Sequence, residues 1–290
     1  MSETHKGVLL TLVAGISWGL ISLFIRPLEA SGLTPLNITN MRDIGAALFL
    51  LCSVPFMNKR AFRVKPKDLW CMAGGGFICL VLFPSLYFTT IKLTTVNIAV
   101  VLLYTSPVFV TLMSCFFFKE KFTLRKLLAL VLVFVGCALV AGILAGEGTV
   151  HLSFKVLLIG LASGFTYALY SIFSRAAQNR GYTSDVITMW TFLFAALLSL
   201  FLIDYRHVGS VLKDVRLAFT AVGFVLVSTI LPYCTYTAGL KRLQPSCAAI
   251  IVTIETVVGT IVGTICFGEP LTFHAIFGMV LVLASCCLCI

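Results

Sequence analysis

The chain has 290 residues, of which 60% are apolar and only 11% are charged, and its mean hydropathy is +1.07. Soluble globular proteins carry about 25% charged residues, so this chain has too few charges to cover a water-facing surface. The composition excludes a soluble globular protein and predicts an all-α integral membrane protein. The net charge of +10 could indicate nucleic-acid binding. The basic residues lie in short loops beside apolar segments, without a basic aromatic motif, so we expect no nucleic-acid partner.

Ten apolar runs are long enough to cross the hydrocarbon core of a bilayer as helices. They do not alternate between polar and apolar residues in the manner of β-barrel strands. We therefore predict ten transmembrane helices in a multi-pass protein of the cell (cytoplasmic) membrane, in contact with the lipid bilayer. In chain order the runs are 7–25, 36–57, 69–91, 95–118, 124–145, 154–174, 184–203, 217–240, 246–267 and 272–290.

The lysine and arginine residues predict the orientation of these helices. With ten crossings, fourteen of the 21 basic residues lie on the side of the N-terminus and six on the opposite side, and Arg42 lies within a helix. Cytoplasmic loops of membrane proteins carry an excess of Lys and Arg. Both termini are therefore predicted to be cytoplasmic.

The first half of the chain is similar to the second half at an offset of 149 residues. Residues 12–48 and 161–197 share 13 identical positions, among them Arg26 and Arg175. Biased apolar composition alone would give only about three identities. Internal self-similarity of this kind indicates a duplicated structural unit.

The duplication continues to the end of each half, where FKEKFT (118–123) matches FGEPLT (267–272). We predict two five-helix repeats, at 7–145 and 154–290. Because five is an odd number, the second repeat starts on the opposite side of the membrane, and the two repeats are inverted relative to each other. Secondary transporters use inverted repeats of this kind around a central site.

Two sequence blocks carry a resemblance to a known family. They are NIAVVLLYTSPVFVTLMSCFFFKEKFT (97–123) and CAAIIVTIETVVGTIVGTICFGEPLT (247–272). Together with the paired repeats, they are similar to EamA-type members of the drug/metabolite transporter superfamily, over essentially the whole chain. One departure is Thr256, which stands where the family commonly has a proline after the mid-helix glutamate.

The resemblance implies a secondary transporter that exports small metabolites, such as amino acids or drug-like solutes, by alternating access around a central cavity. Two alternatives remain. The first is an exchanger of phosphorylated solutes or nucleotide sugars, and the second is a membrane scaffold that transports nothing. The expected partners are a small-molecule substrate and the bilayer, with protons as a candidate coupling ion, and the protein could be a monomer or a homodimer.

Glu255 is the only charged residue in the apolar run 246–267 and lies near its middle. Insertion of an Asp or Arg at such a depth costs about 2.5–3.5 kcal/mol, so we expect the carboxylate to face a cavity or a partner. It could bind a cationic amine, carry a proton, or hold a neighbouring helix by hydrogen bonds. At an offset of 150 its counterpart in the first repeat is Thr105.

Arg42 lies beside Asp43 within the second apolar run. The two could pair with each other, or Arg42 could bind a substrate carboxylate or pair with Glu255. The second repeat has Thr191 and Phe192 at the equivalent positions, so the fold itself does not require the charges. This asymmetry favours a functional role for Arg42.

Pro84 and Pro232 occupy matched positions inside the third and eighth runs. An internal proline removes a backbone hydrogen bond and kinks a helix, and matched interrupted helices are typical of transporter sites. Packing bends and ordinary aromatic packing are the structural alternatives. The remaining candidates for substrate contact are aromatic or polar residues on these and neighbouring helices: Trp18, Tyr87, Asn97, Tyr104, Tyr167 and Tyr236.

The sequence shows no HExxH, GxSxG or P-loop motif. Most of the 11 cysteines lie inside apolar runs, where cysteine behaves as a small hydrophobic residue. We therefore expect neither an enzyme nor a bound metal or cofactor.

Overall fold

The computed structural model describes residues 2–142 and 153–289, and these residues form helices and connecting turns without any strand. A short helix, Tyr205–Val211, connects the seventh long helical segment to the eighth. The predicted runs 124–145 and 272–290 each extend partly beyond the described residues. The long helical segments, labelled in chain order, are α1 Glu3–Ala30, α2 Pro35–Met57, α3 Pro66–Leu93, α4 Val96–Phe118, α5 Leu124–Val140, α6 Phe154–Gln178, α7 Ser184–Leu202, α8 Val215–Leu240, α9 Pro245–Phe267 and α10 Phe273–Leu288.

The helices have the character of membrane spans. Within the described ranges, seven of them (α1, α3, α4 and α6–α9) are long and apolar enough to cross a bilayer, and α10 is a shorter apolar helix. Large apolar side chains also point outward over the helix surfaces, where lipid can cover them. Examples that are at least 74% exposed are Phe56, Phe116, Phe201, Phe219, Ile265 and Phe273. The prediction of an all-helical membrane protein is confirmed, and the number of ten crossings stays a prediction.

Side-chain caps begin several of these helices. The hydroxyls of Thr34, Thr123, Ser153 and Thr272 each accept a hydrogen bond from a backbone N–H three residues later, at 3.2–3.4 Å. Such caps satisfy N–H groups that have no partner inside the helix. They matter in a membrane protein because lipid offers no replacement partner.

The C-terminal ends of α4 and α9 adopt the same backbone conformation. Lys119 and Gly268, which match at the offset of 149, are both left-handed, with φ angles of 56° and 67°. Glycine adopts this conformation without steric cost, whereas Lys119 adopts it against the usual preference of an L residue. The two helix ends are therefore equivalent in structure although their residues differ.

Both matched prolines follow a widened segment of helix. Gly75–Leu82 in α3 and Leu226–Ile230 in α8 are π-helical, and Pro84 and Pro232 are each the second residue after the π-helical segment. Proline has no N–H to donate and its ring clashes with the carbonyl four residues earlier. A π-helical turn, in which the bonds span five residues, relieves this conflict without ending the helix.

The main helix contacts join the first half of the chain to the second half. The most extensive pairs include α1 with α8 and α9, α6 with α3 and α4, α2 with α7 and α8, α3 with α7, and α5 with α10. The same set of pairs results when α1–α5 and α6–α10 exchange places, so that α1 with α8, for example, becomes α6 with α3. The largest buried apolar cluster accordingly draws residues from both halves, for example Ala46 and Leu80 with Met189 and Ile251.

Candidate central transport site

The helices α4 and α9 are each broken near their middle. The breaks are at Tyr104–Thr105 and Val252–Thr253, and the threonine hydroxyl donates to the carbonyl oxygen three residues earlier, at 2.6 Å in both cases. The matched breaks are 148 residues apart, so Thr105 corresponds to Thr253. The sequence-based pairing of Thr105 with Glu255 was wrong by two residues, because single-residue insertions shift the offset locally.

A glycine from the opposite half packs against each break. A Cβ atom on Gly15 of α1 would lie 2.8 Å from the carbonyl oxygen of Val252, and one on Gly164 of α6 would lie 2.8 Å from that of Leu102. These two glycines also match at the offset of 149. Close backbone approach of this kind is what small residues permit between membrane helices.

Glu255 lies in the first turn after the break in α9 and is partly buried. The hydroxyl of Tyr104, at the break in α4, donates to Glu255 Oε1 at 3.2 Å. Among the described residues, Glu255 takes part in no ion pair. The carboxylate therefore joins the two broken helices and keeps capacity to accept a proton or a further donor.

An aromatic cluster lies next to Val252 of α9, which is one helical turn before Glu255 in that helix. The ring of Trp18 is 5.1 Å from that of Tyr233 and 5.6 Å from that of Tyr236, and the rings of Tyr170 and Tyr233 are also 5.1 Å apart. The hydroxyls are fixed by hydrogen bonds of 2.8 Å, one between Tyr236 and Ser171 and one between Tyr170 and Thr237. These bonds hold the rings in place between α1, α6 and α8.

The cluster surrounds a closed central cavity. Its free volume of about 20 Å³ is room for roughly one water molecule, whereas sites for small ligands are typically about 300–1,000 Å³. The cavity is therefore closed to a metabolite in this conformation. Its walls include Trp18, Ser106, Tyr167, Tyr170, Tyr233 and Tyr236.

Arg42 is paired with its neighbour in sequence. Its Nε and Nη2 atoms donate to Asp43 Oδ1 at 3.0 and 2.8 Å, and Ser199 of α7 donates to Asp43 Oδ2 at 3.5 Å. Asp43 is fully buried. Of the two side chains considered as partners for Arg42, the structure pairs it with Asp43, and Glu255 is bonded to Tyr104 instead. Binding of a substrate carboxylate by Arg42 stays a prediction. Arg42 also lies beside the phenol of Tyr233, which lines the cavity.

The other predicted residues lie at different distances from the cavity. Pro84 and Pro232 are buried just after the π-helical segments. Tyr87 is partly buried, close enough to Glu255 for an electrostatic interaction. Asn97 is exposed in the first turn of α4, seven residues and about 10 Å before the break, so it lies apart from the cluster.

Sequence reasoning missed Tyr170 as a member of the site. It lies three residues after the predicted Tyr167 on α6, just as Tyr233 lies three residues before Tyr236 on α8. Residues three apart share one face of a helix. The spacing of the tyrosines on α6 and α8 was thus a signal for two adjoining aromatic faces.

A second, open cavity lies near the C-terminal end of α4 and has a volume of about 590 Å³. We call it the vestibule. Five basic side chains line it: Lys119, Lys121, Arg125, Lys126 and Arg175. One acidic residue, Glu120, is also present, and its Oε2 accepts from Lys126 at 2.8 Å and from Ser246 at 2.5 Å. The vestibule thus has a positive charge, in contrast to the central cavity.

Metal chemistry has no visible support in this arrangement. Within residues 2–142 and 153–289, no three His, Cys, Asp or Glu side chains are grouped in a way that could hold a metal ion. The polar groups at the centre are one carboxylate and several hydroxyls. These can bind a solute or move a proton without a bound cofactor.

The long apolar helices are those of a multi-pass membrane protein. The profile of the EamA-like transporter family matches the chain twice, at residues 5–142 and 154–290. The chain therefore belongs to the EamA-like transporter family. The resemblance to this family noted from the sequence is confirmed.

Individual relatives agree with this assignment. A protein of Archaeoglobus fulgidus described as an uncharacterized transporter is 29% identical over 276 residues, covering 94% of this chain and 92% of its own length. A probable amino-acid metabolite efflux pump of Salmonella typhimurium is 25% identical, covering 97% and 94%. A solved crystal structure that is 16% identical has the same fold, with a TM-score of 0.79 over 98% of this chain and 96% of the other.

Proposed function

We propose that this protein is a secondary transporter that exports small amine-bearing metabolites, such as amino acids or drug-like cations, by alternating access. One observation carries the proposal. The carboxylate of Glu255 lies beside the breaks in α4 and α9, where it accepts from Tyr104 near the aromatic cluster. It has no cationic partner among the described residues. Ionisable residues inside a membrane domain are typical of substrate or proton pathways.

The chemistry of this site suits a protonated amine. Glu255 supplies a negative charge, and Trp18 and the tyrosines around the cavity supply aromatic faces. Aromatic rings attract cations within about 6 Å of the ring centre, more strongly when water is excluded. The serine and tyrosine hydroxyls near the cavity can in addition accept or donate to the rest of an amino acid.

Two structural features support alternating access around this point. First, every main helix pair joins one half of the chain to the other, so movement of one half against the other would open the central cavity. Second, the equivalent residues Arg26 and Arg175 lie at opposite ends of the molecule. Arg175 donates to the carbonyl of Leu240 at the end of α8, and Arg242, just beyond, donates to Glu3 at the start of α1.

Arg26 is 23 residues further along α1 than Glu3, which corresponds to roughly 35 Å of helix. Equivalent residues at opposite ends are what two inverted five-helix repeats, 7–145 and 154–290, would produce. Both halves contribute to one site in this proposal. With the N-terminus in the cytoplasm, the vestibule would open to the cytoplasm, as an exporter loading its substrate requires.

A second candidate function is exchange of phosphorylated solutes or nucleotide sugars. The five basic residues of the vestibule favour it, because they would attract an anionic solute. The walls of the closed central cavity include no Lys or Arg within the described part of the chain. This difference between the two cavities makes the amine the better-supported substrate.

The proposal is tested by counterflow in proteoliposomes with a panel of radiolabelled solutes: cationic amines, zwitterionic amino acids and sugar phosphates. We expect the wild-type protein to exchange solutes that carry a protonated amine. We expect Glu255→Gln to lower that exchange at least tenfold, because a charge-assisted contact is worth about 1.5–3 kcal/mol.

The matched control is Glu29→Gln, which removes an exposed carboxylate near the end of α1. It should leave the exchange unchanged. Exchange of sugar phosphates but not amines would support the second candidate. Amine exchange that is equal in the Glu255→Gln and Glu29→Gln proteins would overturn the assignment of Glu255 to the substrate site.

A further inference from the structure

Three residues form a closed contact at the end of the molecule that contains Arg26. The guanidinium of Arg26 pairs with the carboxylate of Glu269, in the turn between α9 and α10, and lies 4.0 Å from the centre of the Phe267 ring. The contact joins the first half of the chain to the second. We call Arg26, Phe267 and Glu269 the first set.

The sequence repeat places the same three residue types at the other end. At the offset of 149, Arg26, Phe267 and Glu269 correspond to Arg175, Phe118 and Glu120, which we call the second set. All three members of the second set line the vestibule. The two sets thus occupy equivalent places, yet one is joined and the other surrounds an open space of about 590 Å³.

In the second set, the charged residues are bonded to other groups. Arg175 donates to the carbonyl oxygen of Leu240 at 2.5 Å. Glu120 Oε2 accepts from Lys126 and Ser246, while Glu120 Oε1 is buried and has no hydrogen-bond partner among the described residues. A buried acceptor without a donor is costly, so this oxygen indicates a partner that arrives in another conformation.

We propose that the two sets are a pair of gates that close alternately during transport. The first set is closed here, and the vestibule is open because the second set is apart. When the vestibule closes, Arg175 leaves the Leu240 carbonyl, pairs with Glu120 and packs over Phe118, while Arg26 separates from Glu269. The inference rests on the proposed function, since it assigns the residues that seal the two ends of the same pathway.

The chemistry of each gate suits reversible closure. In the first set, the Arg26–Glu269 pair is exposed and therefore weak, and a cation–π contact adds a modest attraction, so this end is not locked permanently. Because the two sets have the same composition, closing one and opening the other exchanges similar contacts. The two end states can then be close in free energy, as a transporter that cycles between them requires.

Labelling of Cys247 provides a direct test. Cys247 is partly exposed and lines the vestibule, so its reaction rate with a charged, water-soluble maleimide reports how often the vestibule is open. The full-length protein would be labelled in nanodiscs, and peptide mass spectrometry would follow Cys247 separately from the other cysteines. The test variants are Arg26→Gln and Glu269→Gln, which both break the first set at the far end of the molecule.

We expect both variants to slow labelling of Cys247 about two- to fivefold, the population shift that loss of an exposed ion pair can produce. The matched control is Arg216→Gln, which removes an exposed arginine at the start of α8, at the same end as Arg26. It should label at the wild-type rate. If Arg26→Gln and Glu269→Gln label at the same rate as Arg216→Gln, the proposal is overturned.

A compensating variant makes the test stronger. Arg175→Gln removes the arginine of the second set, so the closed vestibule also loses its ion pair. Combined with Glu269→Gln, it should return Cys247 labelling to within about twofold of the wild-type rate, because each of the two end states has then lost its ion pair. Failure of this restoration would contradict alternate closure.

The labelling needs no substrate, so its outcome is separate from that of the counterflow assay. A labelling shift without amine exchange would support the gates and reject the amine site. Amine exchange that depends on Glu255, with no labelling shift, would keep the proposed function and reject the gates.

Discussion

The buried pair Arg42–Asp43 allows a quantitative test of how a charge is accommodated inside this protein. Asp43→Leu removes the carboxylate that accepts two hydrogen bonds, at 2.8 and 3.0 Å, and leaves the Arg42 guanidinium without its counter-charge. The Arg42 side chain is only 11% exposed, so water cannot replace that partner fully. Breaking a buried ion pair on one side typically costs about 3–5 kcal/mol.

Removal of both charges should cost much less than removal of one. In the double variant Arg42→Met/Asp43→Leu, no uncompensated charge is left, and apolar side chains of similar volume fill the space. Such replacements are often close to neutral. We therefore expect a loss of about 3–5 kcal/mol for Asp43→Leu and about 1 kcal/mol or less for the double variant.

The free energy of unfolding can be measured by denaturant titration in mixed detergent micelles, followed by the fluorescence of the three tryptophans. Ser199→Ala is the control, because it removes only the long hydrogen bond to Asp43 and should cost at most about 1 kcal/mol. A double variant as unstable as Asp43→Leu would refute the structural interpretation of the pair. A double variant that is stable but exchanges no solute would instead make Arg42 a substrate-binding residue.

Two further predictions concern the central site and the packing of the halves. Tyr104→Phe removes the donor to Glu255. We expect the KM for an amine substrate to rise about three- to tenfold, because one hydrogen bond is worth about 1 kcal/mol. An unchanged KM would contradict the orienting role of Tyr104. Gly278→Ala would place a Cβ atom 2.6 Å from the carbonyl oxygen of Gly136 on α5, and we expect a loss of about 1–3 kcal/mol in the free energy of unfolding. Gly209→Ala, whose Cβ would meet nothing within 4 Å, is the control and should be neutral by the same titration.

The sequence was sufficient to predict where the helices lie. Each predicted apolar run overlaps one of α1–α10, and most ends agree within a few residues, because apolar length and loop charges determine them. The first run was predicted too short. It was ended at residue 25, whereas α1 continues to Ala30 past Pro27. Pro27 lies in the last helical segment of α1, Ser22–Ala30, which follows a turn at Leu20 and Ile21.

The breaks inside helices were only partly predictable. Pro84 and Pro232 predicted an interruption, and the structure has a π-helical segment before each of them. The break in α9 has no proline, since Thr256 follows Glu255. Gly15 from the other half approaches that break closely. A contact between residues so far apart in sequence cannot be inferred from local pattern.

The candidate site was predicted in part. A single charge in an apolar run marked Glu255, and mid-helix position marked Trp18, Tyr104 and Tyr167, all of which lie at or beside the central cavity. The partner of Arg42 was left open among three groups, because helix geometry alone does not determine the conformation of a long side chain. The closed state of the cavity depends on side-chain packing from several helices, which sequence periodicity does not report.

The central claim is that Glu255 is the site where substrate or proton binds during transport. The most direct measurement is solute accumulation in proteoliposomes driven by an imposed pH gradient, with wild-type and Glu255→Gln proteins compared in the same preparation. The account predicts gradient-driven accumulation for the wild-type protein and only gradient-independent exchange, or none, for Glu255→Gln. Equal dependence of both proteins on the pH gradient would contradict it.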